Sequence, residues 1–212
     1  MGQTITILEY IGVFAFAISG ANVAIHEKLD LLGIYILATV TAMGGGIIRD
    51  IVVSEGVPAF FNSQPAILII LLSATLAIIL KGRWKYKNLF ALIDAVGLAA
   101  FVVSAGLKGL EKEYSLTLFL FVTSITGVGG GMLRDIIVGR KPDVFCKEIY
   151  CVAGIIGALA LWFLFDKTPS YIATGSALIV IIVVRMICYF KDINLPVIYS
   201  NDSKGYESEE IR

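Results

Sequence analysis

The 212-residue chain is 58% hydrophobic and 16% charged, and its mean hydropathy is +0.86. This composition lies well outside the range of soluble globular proteins and indicates an integral membrane protein. Lys and Arg together number 17, as do Asp and Glu, so the net charge is zero and no nucleic-acid partner is expected.

Seven apolar segments follow one another along the chain, separated by short polar breaks. Each approaches the length of about 20 residues that a transmembrane helix needs. Because the segments are continuously apolar, without the alternation of barrel strands, they predict an all-α membrane protein. We expect the spans near residues 5–25, 31–53, 65–80, 89–107, 116–138, 149–165 and 171–190. Residues 1–190 would then form one transmembrane domain, and 191–212 a polar cytoplasmic tail.

The basic residues indicate how the chain is oriented. Eleven Lys and Arg fall in the loops and tail on one side of the predicted spans, and three fall on the other. By the positive-inside rule, the C-terminus is predicted to be cytoplasmic and the N-terminus outside. The run KGRWKYK, with Lys81, Arg83, Lys85 and Lys87, is a topology signal and a candidate contact for anionic lipid headgroups.

An internal repeat is visible when the sequence is displaced by 85 residues. Glu9 then aligns with Asp94, and Gly44 to Val53 aligns with Gly129 to Val138, where seven of ten residues are identical. Each copy holds three spans, and an odd number makes the second copy enter the membrane from the opposite side. We therefore expect an inverted repeat of three plus three spans, about 5–80 and 89–165, with a seventh helix at 171–190. Such repeats are typical of proteins that move solutes across a bilayer.

The second and fifth segments each contain a glycine triplet followed by Arg and Asp. Glycine costs about 1 kcal/mol relative to alanine inside a helix, so three in succession are expected to bend or interrupt each helix. Freed backbone carbonyls at a break would hold a passing monovalent cation. Close helix packing is the alternative. The motif residues are Gly44, Gly45, Gly46, Arg49 and Asp50 in the first copy, and Gly129, Gly130, Gly131, Arg134 and Asp135 in the second.

Charges inside apolar spans must pair or face water, because an unpaired charge there costs about 3 kcal/mol or more. Besides the Arg and Asp of the two motifs, Glu9 and Asp94 lie within the first helix of each copy. These two acids are candidate partners of the arginines or cation sites themselves. For an inverted repeat we expect pairing across the copies. The expected pairs are Arg49 with Asp135 or Asp94, and Arg134 with Asp50 or Glu9. A structural Arg–Asp pair that never meets a solute is the alternative.

Four hydroxyl residues align in pairs and are candidates to line a polar path: Ser19 with Ser104, and Thr41 with Thr126. The alternative is that these hydroxyls bond back to their own helical turn. Arg185 lies about one turn from a predicted span end, where its side chain is expected to extend to the interface.

Other chemistry is not indicated. The three cysteines lack metal-ligand spacing and are interpreted as packing residues, so neither a resident metal nor a cofactor is expected. The segment GVGGGM lacks the lysine that follows a nucleotide-binding glycine loop. No paired nucleophile and base is visible, so an enzyme is not expected.

Two GGGxxRD motifs in a chain of three plus three plus one spans resemble the prokaryotic branch of the trimeric intracellular cation channel (TRIC) family, over residues 5 to 190. The resemblance implies a homotrimer with a pore in each subunit, conducting monovalent cations, chiefly potassium and also sodium, across a bacterial or archaeal plasma membrane. The glycine triplets would be the helix bends beside each pore. Closely similar bacterial proteins are described as glycine transporters, so the resemblance also admits transport of a small amino acid.

Overall fold

A computed structural model describes residues 1–53, 56–80, 87–146 and 149–195, and the regular structure of these residues is entirely helical. A single 3-10 turn, Ala59–Asn62, lies between the second and third α-helices. The α-helices of the described residues are α1 (Gly2–His26), α2 (Leu31–Val52), α3 (Gln64–Ile79), α4 (Lys87–Glu111), α5 (Leu116–Ile137), α6 (Asp143–Cys146), α7 (Tyr150–Phe165) and α8 (Ser170–Phe190).

Each apolar segment predicted from the sequence forms a helix. Among the described residues, α1, α2, α4, α5 and α8 are long and apolar enough to cross a membrane, whereas α3 and α7 are apolar helices of 16 residues each. The predicted lipid contacts Lys81, Arg83 and Lys85 lie outside the described residues, as does the tail from residue 196, and only the backbone of Lys87 is described.

Local signals start α2 and α5 at equivalent places. The Asp30 side chain accepts a hydrogen bond from the Gly33 amide at 2.7 Å, and the Ser115 side chain caps α5 in the same way. These caps satisfy amide groups that the first helical turn leaves free. The turns before them also match, since Lys28 and Glu113 both have positive φ angles, 58° and 53°. The four-residue connections place α1 beside α2, and α4 beside α5.

The first helices of the two copies, α1 and α4, cross through reciprocal glycine–phenylalanine contacts. A Cβ added to Gly12 on α1 would lie 2.8 Å from the Phe101 ring on α4. A Cβ on Gly97 of α4 would lie 2.5 Å from the Phe16 ring on α1. The two rings meet edge to face with centroids 5.1 Å apart. Both glycines are therefore required by the size of the opposing ring.

The second helices, α2 and α5, cross with their backbones in contact, and we call this contact the glycine crossing. It is formed by Gly44 and Gly45 on α2 and by Gly129 and Gly130 on α5. A Cβ on Gly129 would lie 3.0 Å from the Gly45 Cα atom. One on Gly45 would clash with the Thr126 carbonyl oxygen, and one on Gly130 with the Thr41 carbonyl oxygen. The crossing has no room for side chains.

Interruption of the second and fifth helices, which the triplets predict, is wrong. Both α2 and α5 continue as α-helix through the three glycines. The reason is that contact with the opposite helix compensates the low helix propensity of glycine, as it does at small-residue contacts in other membrane proteins. The alternative of close packing explains the first two glycines of each triplet.

The third glycine of each triplet has different surroundings. A Cβ on Gly46 would lie 4.0 Å from the Arg49 Nη2 atom, and one on Gly131 would lie 3.9 Å from Arg134 Nη2. These are ordinary van der Waals distances, so alanine fits at both positions. The triplet thus combines two packing positions with one position beside an arginine.

Alanine substitutions separate these two roles. Replacing Gly45 or Gly130 with alanine should lower the free energy of unfolding by about 1–3 kcal/mol, because the added methyl group overpacks the crossing. The matched controls Gly46→Ala and Gly131→Ala should be neutral or stabilising by up to about 1 kcal/mol, since alanine is the better helix former. Thermal unfolding in detergent measures both. Equal losses at all four positions would show that the crossing is not what requires glycine.

Candidate functional site

Two cavities enter the helical bundle, one beside each GGGxxRD motif. The wide cavity has a volume of about 380 Å³, and its lining includes Asn22, Asp94, Gly131, Arg134, Tyr150 and Arg185. The narrow cavity has a volume of about 80 Å³, and its lining includes Glu9, Gly46, Arg49, Asp50 and Phe60. Each cavity therefore contains an acid from the first helix of a copy, and the third glycine, Arg and Asp of that copy's motif.

An Arg–Asp pair lies at the wall of each cavity. Arg49 donates from Nε to Asp50 Oδ1 at 2.7 Å. Arg134 donates to both carboxylate oxygens of Asp135, from Nε at 2.8 Å and from Nη2 at 3.2 Å. All four residues are buried, with exposed fractions of 6% for the arginines and 1% for the aspartates. Such charge-assisted bonds offset part of the cost of removing the groups from water.

The aspartates also hold the chain that follows each motif helix. Asp50 Oδ2 accepts a hydrogen bond from the Ala59 amide at 2.9 Å, and Asp135 Oδ2 accepts one from the Asp143 amide at 3.1 Å. Arg140 adds a bond to Asp135 Oδ1 at 2.7 Å. The sequence did not indicate Arg140 as a site residue, because a basic residue in a loop is interpreted first as a topology signal.

The acids of the first helices complete the two ion-pair groups differently. Glu9 Oε1 lies 3.5 Å from Arg49 Nη1 and 2.6 Å from Lys108 Nζ. Asp94 Oδ1 lies 3.8 Å from Arg134 Nη1 and accepts a 3.4 Å hydrogen bond from Ser19. The Ser19 hydroxyl accepts one from Arg134 Nη1 at 2.7 Å. Thus Glu9 has a short contact with a lysine, whereas Asp94 interacts with its arginine at longer range and through Ser19.

The expected pairing of arginines with acids of the opposite copy is wrong. Arg49 pairs with Glu9 and Asp50, and Arg134 pairs with Asp94 and Asp135, each within its own copy. The reason is helix geometry. Glu9 precedes the end of α1 by 17 residues, and Arg49 follows the start of α2 by 18. At 1.5 Å per residue both lie about 26 Å from the short connection, at the same depth.

The aligned hydroxyl residues are fully buried and line neither cavity. Thr41 donates to the Leu37 carbonyl and Thr126 to the Val122 carbonyl, both at 2.6 Å, and Ser104 donates to the Phe101 carbonyl at 3.1 Å. These bonds are to their own helical turns. Ser19 has the different role already described, between Arg134 and Asp94.

Arg185 does not extend to the interface as its position near the end of α8 suggests. It is 8% exposed, and its guanidinium lies over the Tyr150 ring, 4.7 Å from the ring centroid. A guanidinium on an aromatic face is stabilised by the ring's quadrupole. Because α8 lies outside the repeat, the repeat predicts no residue equivalent to Arg185 at the narrow cavity. The Arg–Tyr contact is therefore a feature of the wide cavity.

Comparison with known proteins identifies the family. The model of the family described as "Glycine transporter" matches residues 6–82 and again residues 91–166. The chain belongs to this family. The two matches begin 85 residues apart, at the same displacement that aligns the two GGGxxRD motifs.

Full-length bacterial relatives support the same assignment. The UPF0126 membrane protein YvgT of Bacillus subtilis is 38% identical over 197 residues, covering 90% of this chain and 94% of the relative. The UPF0126 inner membrane protein YadS of Escherichia coli K12 is 32% identical over 203 residues, covering 93% and 97%. The protein is therefore a multi-pass membrane protein of a family with members in the bacterial inner membrane.

Solved structures of TRIC channels share the fold. A structure described as the basis for conductance through TRIC cation channels aligns with a TM-score of 0.84 and 28% identity, over 92% of this chain and 98% of that one. The TRIC orthologue from Rhodobacter sphaeroides aligns with a TM-score of 0.83 and 26% identity, over 89% and 98%. The TRIC resemblance of the doubled motif is confirmed.

Double substitutions test the pairing seen at the wide cavity. Arg134→Gln should lower the free energy of unfolding by about 3–5 kcal/mol, because it removes the buried cation that Asp94 and Asp135 share, and among the described residues Asp135 then retains only Arg140 as its cation. Adding Asp135→Asn should restore part of that loss, because it removes a buried carboxylate that has lost a partner. Arg140 also loses its ion pair with Asp135 in this variant, but its side chain is 37% exposed and can be solvated by water. Combining Arg134→Gln with Asp50→Asn should give additive losses. Unfolding in detergent measures all three, and rescue by Asp50→Asn instead would favour pairing between the copies.

Proposed function

We propose that the protein is a monovalent cation channel whose pathway joins the wide and narrow cavities past the glycine crossing. The observation that carries this proposal is the placement of the two cavities. Each is lined by the third glycine of a triplet, an Arg–Asp pair and a further acid. The TRIC cation channels with the same fold support conduction as the activity. The wide cavity is lined by the α5 motif and the narrow cavity by the α2 motif, and the same two helices form the glycine crossing.

We further propose that the two halves form an inverted repeat of three spans each, with α8 as a seventh span. The reciprocal contacts support this arrangement. Gly12 faces Phe101 while Gly97 faces Phe16, and the Gly45 and Gly130 contacts on Thr126 and Thr41 are reciprocal too. Two-fold related surfaces pack in this reciprocal way. The N-terminus would lie outside and the C-terminus in the cytoplasm, so the wide cavity, lined also by His26 and Tyr189, would open to the cytoplasm.

A homotrimer with one pathway in each subunit is the proposed assembly. Its support is the likeness to the "TRIC trimeric intracellular cation channel orthologue" of Rhodobacter sphaeroides, which this chain matches over 89% of its length. Both cavities are lined by residues of a single chain, which fits a pathway within each subunit. Exposed leucines and isoleucines on α3 and α8 are available for lipid or for neighbouring subunits.

Selectivity between cations should be modest. Acidic side chains in the cavities favour cations over chloride, but each acid has a basic neighbour, and neither cavity has a ring of unpaired acids among its described residues. We therefore propose that potassium and sodium permeate with similar ease and that chloride is largely excluded.

Transport of a small amino acid is the second candidate function. The description of the family model favours it, and so does the wide cavity, where Asp94 and Arg185 offer opposite charges to a zwitterion. Planar-bilayer recording beside radiolabelled glycine uptake, both with reconstituted protein, separates the two. Single-channel currents selective for cations support the channel. Saturable glycine uptake without current would establish the transporter instead.

Neutralising the acids should alter cation preference unequally. Asp94→Asn should move the reversal potential under a KCl gradient further toward zero than Glu9→Gln does. The reason is that Lys108 lies 2.6 Å from Glu9 and already neutralises it, whereas the Asp94 contact with Arg134 is 3.8 Å long. Larger loss in Glu9→Gln would place the selective acid in the narrow cavity.

Accessibility of introduced cysteines tests the orientation. In a background where Cys146, Cys151 and Cys188 are replaced by alanine, Glu27→Cys should react with an impermeant maleimide from the cytoplasmic side. Glu113→Cys, at the equivalent turn of the second copy, should react from outside. Labelling of both from the same side would exclude the inverted arrangement.

A further inference from the structure

The turn that follows each motif helix contains a proline and is held by the motif aspartate. Ala59, directly after Pro58, donates its amide to the aspartate of the first motif at 2.9 Å. Asp143, directly after Pro142, donates its amide to the aspartate of the second motif at 3.1 Å. Because proline has no N–H group, the residue after it is the donor in both turns. The two turns are therefore equivalent when their residues are counted from the prolines.

This register differs by one residue from the displacement that aligns the motif helices. Counted from the prolines, Phe60 corresponds to Val144, and Phe61 corresponds to Phe145. The backbone supports this correspondence, since the Phe61 and Phe145 amides both donate to the carbonyl of their proline at 3.0 Å. Both of these rings are exposed, by 58% and 70%. Phe60 and Val144 are half-buried instead, and each lines the cavity beside its motif.

The larger of the two equivalent side chains lines the smaller cavity. Phe60 lines the narrow cavity of about 80 Å³, and Val144 lines the wide cavity of about 380 Å³. Phe60 also packs against the apolar cluster that contains Val13 and Phe101, and both of these residues line the narrow cavity. An aromatic ring thus occupies the place where the second copy has a smaller side chain.

The narrow cavity combines this ring with charges in a small space. Glu9 and Arg49 are part of its lining, and its volume has room for only a few water molecules. An apolar side chain in so small a space displaces water that a passing ion would keep, so it raises the barrier to passage.

The aspartate of the first motif positions the ring. Asp50 is buried and paired with Arg49, and Ala59, whose amide it holds, is the residue before Phe60. A fixed backbone at Ala59 limits where the Phe60 side chain can lie. The motif is therefore connected to the ring through this hydrogen bond.

We propose that Phe60 limits passage through the narrow end of the pathway, and that the difference between Phe60 and Val144 makes the two ends unequal in width. This inference deepens the proposed channel function and rests on it for the ion that passes. Exchange of the two residue types should exchange the properties of the two ends.

Cysteine labelling of the purified full-length protein in detergent tests the narrow end. Gly46→Cys is introduced where Cys146, Cys151 and Cys188 are replaced by alanine, because Gly46 lines the narrow cavity and has room for a side chain. Its reaction with a cationic methanethiosulfonate should be slow. Adding Phe60→Val, the residue of the second copy, should accelerate the reaction severalfold.

The reciprocal change tests the wide end without removing a packed ring. Gly131→Cys lines the wide cavity and has similar room, so it should react readily in the same background. Adding Val144→Phe should slow this reaction severalfold.

Two controls separate the width of the cavity from loosening of the fold. Phe61→Val removes a neighbouring ring that lines neither cavity, and it should leave Gly46→Cys labelling unchanged. Thr174→Cys, at a buried position outside both cavities, should stay unreactive when Phe60→Val is added. Unchanged labelling of Gly46→Cys in Phe60→Val, or equal acceleration at Thr174→Cys, would overturn the proposal and leave Phe60 as a packing residue.

Bilayer recordings distinguish failure of this inference from failure of the proposed function. Phe60→Val should raise the single-channel potassium conductance severalfold, and Phe61→Val should leave it at the wild-type value. Wild-type currents that Phe60→Val does not increase would retain the channel and reject Phe60 as the limiting residue. Faster labelling in Phe60→Val, with no current in any variant, would retain Phe60 as the residue that narrows the cavity and reject the channel.

Discussion

The backbone contact between α2 and α5 is the constraint on which the rest of the structure depends. At Gly45 and Gly130 the helices approach so closely that a methyl group would meet a carbonyl oxygen of the opposite helix. Arg49 and Arg134 follow their triplets by about one turn, so the helix segments that form this contact also carry the charged residues of the two cavities. A larger residue at the crossing would push α2 and α5 apart, and this movement would displace both Arg–Asp pairs. The same four glycines therefore determine packing and the geometry of the candidate pathway.

Duplication provides two similar groups of charges, and a few unduplicated residues make them unequal. Glu9 and Asp94 occupy aligned positions, but one has a lysine at 2.6 Å and the other has a serine and a more distant arginine. The seventh predicted span, α8, adds Arg185 to the wide cavity alone. The two cavities also differ in volume, about 380 against about 80 Å³. The proposed pathway would therefore have two unequal ends, although the two copies align in sequence.

Sequence reasoning identified features that depend on composition, length and self-similarity. Hydropathy located the seven longer helices of the described residues but not the four-residue α6, and the 85-residue displacement predicted the paired motifs and the aligned acids. It failed where the outcome depends on distances between helices. Glycine propensity alone predicts an interrupted helix, and only the approach of α5 shows why α2 stays continuous. The partners of Arg49 and Arg134 could have been found by counting residues from the short connections. Tyr150 carries no such signal, because its contact with Arg185 comes from the way several helices enclose the wide cavity.

The short helices α3 and α7 have a consequence for the surrounding lipid. Each has 16 residues and spans about 24 Å at 1.5 Å per residue, whereas the hydrocarbon core of a bilayer is about 30 Å thick. Hydrophobic mismatch of this size is relieved when acyl chains next to a short helix compress, at a cost of a fraction of a kcal/mol per Å. With α3 and α7 as membrane spans, as proposed, the protein should carry a locally thinned annulus of lipid, which brings the headgroup regions nearer to its buried charges. Lengthening the acyl chains makes that deformation more costly, so membrane thickness becomes a physical variable in its stability.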